Sequence, residues 1–415
     1  MAAKKTARNG GKVRAQYEDF PYPHRDPRDE KKRLVTGSPS RLPELVHYLF
    51  KGHLALNRPF RVLVAGGGTG DALIMLAQQL ADAGVEADIH YLDLSSASRA
   101  IAEKRAAIRK LNNITFHSGS LLEASDLGAF DYIDCCGVLH HLEQPGTGFR
   151  ALKGALAPDG GMGIMVYGEL GRTGVYHVQE MLRMIAPDGP EDERVSVAKS
   201  LIAELPATNW LNKNPQIHDH RESDAGLYDL FLHSQDRAYT VPQLADVVAA
   251  AGLEIVSFID PSRYDPKLMV KKTELRARMA ALDPLKQAAF AELLSGNLRK
   301  HVCYLTHSGR GREITATVGD PKAVPVFKDR ETAAMLHQMP PGAQPNVEAD
   351  GLSIPLPLPP QAAIVLKAID GKRSLEEIRK MMPGSPDWIA FATTFAQVFK
   401  ALNAVGMLFL CRINR

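Results

Sequence analysis

Val62-Leu63-Val64-Ala65-Gly66-Gly67-Gly68-Thr69-Gly70 is the stretch on which the reading of the whole chain turns. Four apolar residues, two of them valines, predict a buried strand, and the glycines behind them predict a sharp turn. Residues 71–83 carry apolar side chains at helical spacing, so the turn opens a helix. Gly66, Gly68 and Gly70 follow a G-x-G-x-G spacing, in which the missing Cβ atoms let backbone amides approach a ligand at a helix N-terminus. A dinucleotide fingerprint needs a third small residue where this chain has Asp71, and a carboxylate there repels a pyrophosphate.

Outward from the turn, strand and helix alternate. Residues 61–65, 87–94, 114–117, 132–138 and 162–167 read as strands, and 71–83, 98–111 and 151–156 as helices. Such alternation predicts an α/β fold, a parallel, doubly wound sheet of Rossmann-like type. Residues 168–239 break it. Stretches 175–185 and 195–205 are helical and 206–224 is rich in Asn, His and Pro, so an inserted helical lid is expected over about 170–239. A helix at 241–251 and a strand at 254–259 resume the pattern, and the domain is expected to cover 46–262.

A connecting region, 263–345, holds helical periodicity at 271–299 and a strand at 301–306. The many Pro and Gly residues of 321–360 predict loop or linker. Residues 346–415 read as a second, smaller domain, with helices at 362–369, 374–382 and 391–402 and a strand at 407–410. Ser374 with Glu377 three residues on makes a capping box for the middle helix.

The chain has 415 residues, 45% hydrophobic and 23% charged, a composition that excludes wholesale disorder and fibrous repeats. Fifty Lys and Arg against forty-seven Asp and Glu leave +3, too little for a nucleic-acid coat or a polybasic membrane protein. Four cysteines, two of them adjacent at Cys135 and Cys136, imply no disulfide framework. No apolar run approaches the roughly 18 residues a membrane span needs, so no membrane partner and a cytoplasmic location are expected. Residues 1–14 read as a flexible basic tail. Within 15–45, Tyr17-Glu18-Asp19-Phe20-Pro21-Tyr22-Pro23 packs three aromatics and two prolines into seven residues, a stiff segment expected to dock and close over something.

Asp93 lies 23 residues after Gly70, at the end of the second predicted strand, where an acid can accept both hydroxyls of a ribose or cap the next helix. Residues 130–142, Phe-Asp-Tyr-Ile-Asp-Cys-Cys-Gly-Val-Leu-His-His-Leu, end at the same sheet edge. With Leu156-Ala157-Pro158-Asp159-Gly160-Gly161 behind them, these motifs resemble the class I S-adenosylmethionine-dependent methyltransferases in order and approximate spacing. The resemblance is strong over about 45–170 and looser to about 260. It implies a seven-stranded sheet, S-adenosylmethionine at the strand ends and methyl transfer by direct displacement. By position, Gly66, Gly68 and Gly70 would line the methionine part, Asp93 with Leu94 beside it would hold the ribose, Ser120 and Leu121 would flank the adenine, and Gly137 and Val138 would form the floor beneath the sulfur. Two positions depart from the family: the usual acid before the first glycine is Val64, and the usual adenine-amino acceptor is Ser120. Asp71 is the candidate to receive the cofactor's ammonium group instead.

Positioning can carry much of such a displacement, and a base is needed only for a protonated nucleophile. His140 and His233 are the catalytic candidates, each with a structural alternative. His140 and His141 are sequence neighbours and make no two-ligand metal face, so no metal is expected. Residues 229–239, Asp-Leu-Phe-Leu-His-Ser-Gln-Asp-Arg-Ala-Tyr, are a candidate substrate wall. They resemble bacterial methyltransferases that share the aromatic start at Tyr17 to Pro23. The C-terminal domain resembles small winged-helix peptide-chaperone modules, in which a peptide can be bound by strand addition, and it is the candidate contact for a homodimer. The acceptor is expected to be a small molecule or a peptide, not nucleic acid. The alternative is a non-catalytic, cofactor-binding regulator.

Overall fold

A computed structural model describes residues 17–54, 57–311 and 313–413. The basic tail expected at 1–14 lies outside the described residues. The centre is a seven-stranded sheet: β1 (Phe60–Ala65), β2 (Ala87–Asp93), β3 (Ile114–Ser118), β4 (Phe130–Cys136), β5 (Leu156–Tyr167), β6 (Leu253–Ile259) and β7 (Lys300–His307). Its spatial order is β3-β2-β1-β4-β5-β7-β6. The first five strands pair in parallel, and β7 runs antiparallel between β5 and β6.

Period-two geometry explains why β1 is apolar throughout. Val62 and Val64 enter one hydrophobic cluster with Tyr91 and Leu73, while Leu63 and Ala65 enter another with Leu92 and Ile133. Helices cover both faces, so alternate residues each bury in a different layer. Each fully buried Val or Leu there contributes roughly 1.5–3 kcal/mol. Reversal of strand order beside β1 leaves a crevice at the strand ends, above the glycine turn.

The domain boundary expected near residue 262 is corrected: β7, the seventh strand, comes from residues 300–307. Helices α8 (Thr273–Ala280) and α9 (Pro284–Ser295) are therefore a crossover inside the sheet domain. They follow α1 (Leu42–Leu49), α2 (Asp71–Asp82), α3 (Ser96–Arg109), α4 (Pro145–Gly154), α5 (Val175–Ile185), α6 (Glu191–Ala203) and α7 (Val241–Ala250). The lid is helical as expected through α5 and α6. The start of the substrate-wall stretch is helical too, a wide turn over Tyr228–Leu232.

The loop expected over 321–360 is also corrected. It holds β8 (Pro325–Phe327), a helix α10 (Arg330–His337) capped by the Asp329 side chain, and a hairpin of β9 (Asn346–Ala349) and β10 (Leu352–Pro355). Asp350 and Gly351 turn that hairpin with φ of 46° and 82°, the left-handed pair that an Asp-Gly turn provides. Helices α11 (Ala362–Ala368), α12 (Leu375–Met381) and α13 (Trp388–Ala404) close round their own core, and β11 (Leu408–Leu410) pairs with β8. Arg412 and Ile413 pair with His53 and Leu54, fastening this module to the sheet domain. Among the described residues no helix is long and apolar enough to cross a membrane.

Candidate active site

A cavity of about 600 Å³ opens above the ends of β1, β2 and β4. The glycine turn forms one wall. Gly66 donates its N–H to the Leu92 carbonyl at 2.7 Å, and Gly68 donates to Asp93 Oδ2 at 2.8 Å. Gly66 has φ +71°, and a Cβ there would overlap the Val138 side chain. Gly68 has φ +50°, and a Cβ there would lie 2.8 Å from the Tyr22 carbonyl oxygen. Gly70, φ +100°, is the left-handed residue from which α2 starts. The turn is therefore a cradle that only glycine can shape.

Asp93 accepts the Ser95 N–H on Oδ1 at 2.8 Å, as it accepts Gly68 on Oδ2. Burial pushes its carboxyl up, and these backbone N–H groups pull against that. Each oxygen is fixed by one donor and keeps further acceptor capacity on a cavity-lining side chain. Leu94, Ser120, Leu121, Gly137 and Val138 line the same cavity. Ser120 is also committed locally, because its hydroxyl accepts the Leu122 N–H while Glu123 reaches back to its own N–H. Val64 lines the cavity as an apolar side chain.

Asp71, the candidate for an ammonium group, is instead held by two guanidiniums. Arg25 grips both oxygens, at 2.9 and 2.6 Å, and Arg105 donates to Oδ1 at 2.7 Å. Burial works to raise this carboxyl, yet hydrogen bonding and charge from Arg25, then Arg105, hold it below its ordinary value. The anchor belongs to the N-terminal segment. Tyr17, Tyr22, Pro23 and Arg25 line the cavity, Thr69 donates to the Pro23 carbonyl at 2.7 Å, and Glu18 accepts the Ser96 and Ala97 N–H groups at the start of α3. The stiff aromatic stretch lies as a strap across the crevice.

The far wall carries the polar chemistry. Tyr17 and Tyr167 donate their hydroxyls to the two oxygens of Asp229, at 3.3 and 3.0 Å. His141 lines the cavity beside them, and its Nδ1 hydrogen bonds the Gln235 carbonyl at 2.8 Å. A carbonyl only accepts, so Nδ1 carries the proton and Nε2 keeps its lone pair. Arg172 stacks its guanidinium 3.6 Å from the centroid of Tyr167 and pairs with buried Asp236, which also receives Gln179. Asp236 thereby fastens the lid.

Neither catalytic candidate, His140 or His233, lines this cavity. His140 is fully buried outside the cavity lining, packed on Tyr167 at 3.9 Å between centroids, with neither ring nitrogen hydrogen bonded. Burial holds its pKa well below the ordinary value. The Leu139–His141 turn swings its neighbour, His141, into the cavity. His233 stacks behind His141 at 3.8 Å and faces a second cavity of about 400 Å³. His141, Tyr17, Tyr167 and Asp229 are cavity-lining residues that spacing alone does not single out. Tyr17 and Asp229 do lie in the aromatic start and the substrate-wall stretch.

His141, Asp229 and His233 offer ligand atoms within 4.8 Å of one another. Their hydrogen bonds do not suit a metal. Gln235 donates its N–H to Nδ1 of His233 at 3.0 Å, so the neutral ring carries its proton on Nε2, the nitrogen 3.4 Å from the Tyr17 hydroxyl. A metal needs that nitrogen bare. Tyr17 bridges Asp229 and His233 instead, and His141 stacks on His233.

Residues 63–162 match a family model described as a methyltransferase domain. An uncharacterized protein of Synechococcus sp. is 32% identical over 260 residues, a stretch that spans 61% of either chain. PKMT2 from Rickettsia typhi is similar in structure, with a TM-score of 0.61 at 17% identity, covering 90% of this chain and 75% of that one. Its complex with AdoHcy gives the same score and covers 76% of that chain.

Proposed function

We propose that this chain, whose residues 63–162 match a methyltransferase domain, is a class I S-adenosylmethionine-dependent methyltransferase that transfers the methyl group to a nucleophile of a small molecule or peptide presented to His141. One observation carries this reading: a single cavity joins the glycine cradle and Asp93 to the His141, Asp229, Tyr17 and Tyr167 wall. The cradle fits such a cofactor because the positive φ of Gly66 and Gly68 lets the turn lie bare along the cavity, and because Asp93 keeps acceptor capacity for vicinal hydroxyls. When bound, S-adenosylmethionine supplies an electrophilic methyl group on a good leaving group. The chain aligns the acceptor. His141 takes a proton on Nε2, with Asp229 offering an oxygen within 4.8 Å of the ring. The strap and lid exclude water from the site.

The test is calorimetric titration with S-adenosylhomocysteine, wild type beside Asp93→Ala, followed by a screen of acceptors with labelled methyl donor. Micromolar binding that Asp93→Ala abolishes supports the cofactor site, and no binding by the wild type refutes it. A second reading, a cofactor-binding regulator without turnover, draws on Val64 and on the engagement of Asp71 by two arginines. Binding without methyl transfer to any acceptor in the screen would favour it.

A further inference from the structure

We infer that Lys300 holds the carboxylate of the cofactor's methionine arm, a role that rests on the donor proposed above. Strand register places it. Met165 pairs with Cys136 on one side and with Val302 on the other, and Tyr167 pairs with Lys300. Side chains alternate along a strand, so Lys300 stands on the face that carries Cys136, at the open end of the sheet. Gly66, Asp71, Cys136 and Lys300 line one cavity.

Charge selects Lys300 from the basic side chains there. Arg25 is spent on Asp71, and Arg172 on Asp236. Arg299 donates to the Gln216 carbonyl at 2.6 Å and faces Asp350 at 3.7 Å. Among the described residues the Lys300 side chain makes no ion pair or hydrogen bond, so its ammonium lines the cavity with its donors unspent. Its field reaches the floor of the glycine turn. Burial, then Asp134, pushes the Cys136 thiol up to about 12, Lys300 pulls against them, and Asp71 acts on the same thiol. An ammonium that lines the same cavity as the glycine turn makes a positive end suited to a carboxylate. The neighbouring carboxyl groups leave that end open to it: Asp71 is neutralised by arginines, and burial pushes Asp134 up to about 7.

The experiment uses the full chain and two ligands, S-adenosylhomocysteine and methylthioadenosine, which shares the adenosine and sulfur but lacks the amino-acid arm. Lys300→Gln is expected to weaken S-adenosylhomocysteine about tenfold and methylthioadenosine less than twofold, with Lys300→Arg near wild type for both. Unchanged affinity of Lys300→Gln for S-adenosylhomocysteine overturns the assignment, and so does an equal loss for both ligands, which marks a general disturbance of the site. Wild type that binds neither ligand overturns the donor reading and this assignment with it.

Discussion

The rings of His141 and His233 lie face to face, 3.8 Å between centroids and 23° between planes, and the single residue Gln235 gives them opposite tautomers. Its carbonyl fixes the proton of His141 on Nδ1, and its N–H fixes the lone pair of His233 on Nδ1. One ring is left able to accept a proton on Nε2 and the other able to donate from Nε2 toward Tyr17. Burial holds His233 well below its ordinary pKa, so it stays a neutral donor.

That division of labour predicts a split between neighbours. His141→Ala should lower methyl transfer from labelled donor by ~10²–10⁴, the usual contribution of a general base, with S-adenosylhomocysteine affinity unchanged. His140→Ala should leave cofactor affinity alone and lower thermal stability, because it empties space behind Tyr167. Full methyl transfer by His141→Ala, checked by label incorporation, would remove the base from the mechanism.

The strap predicts a second split. Glu30 and Arg105 are 3% and 1% exposed in their side chains, and Glu30 also holds Arg109. Glu30→Ala takes the buried partner from Arg109 and leaves Arg105 with Asp71 alone, and should cost about 3 kcal/mol in urea unfolding. Arg25→Ala removes a more exposed pair, so the loss in stability should be under about 1 kcal/mol. The same change frees the strap from Asp71 and should speed release of S-adenosylhomocysteine in stopped-flow measurements.

How much of this was legible follows from how far apart the interacting residues stand in the chain. The glycine turn and Asp93 are local signals, a strand end and an acid one crossover later, and they sit where their spacing puts them. Lys300 enters the sheet only because β7 inserts between β5 and β6, a pairing that no local pattern specifies. Tyr17 meets Asp229 across 212 residues. His140 and His141 are indistinguishable by composition, and the short turn at Leu139 decides which one faces the cavity. The Asp350-Gly351 hairpin did carry its own signal, which the surrounding prolines outweighed in a reading by composition.

Glycine positions differ in what a methyl group would meet, which gives a graded prediction. Gly66→Ala adds a strained left-handed backbone and an overlap with Val138, so both stability and cofactor affinity should fall, stability by ~1–3 kcal/mol. Gly84 also has a positive φ, +68°, but open space around it. Gly84→Ala should cost about 1 kcal/mol from the backbone alone and leave S-adenosylhomocysteine binding unchanged. Equal effects of the two substitutions on binding would show that the cradle does not touch the ligand.

Two buried carboxyl groups beneath the site set the last expectation. Burial raises Glu44 from 4.5 to about 7, against hydrogen bonds from Tyr304 and Ser38, and raises Asp134 from 3.8 to about 7, against bonds from Ser40 and Tyr132. The folded state therefore keeps protons that the unfolded chain releases between about pH 4 and 7. Where the native state binds more protons, unfolding free energy falls as pH rises. These two groups thus stabilise the fold relatively at the acid end of that window, and their penalty is complete above about pH 7. At ~1.36 kcal/mol per pH unit of difference, Glu44 contributes about 3 kcal/mol and Asp134 about 4 kcal/mol. Glu44→Gln cannot ionise, so its urea-unfolding free energy should decline less than that of wild type between pH 5 and 7. Parallel pH profiles for the two proteins would mean that Glu44 ionises normally and that its bonds to Tyr304 and Ser38 outweigh its burial.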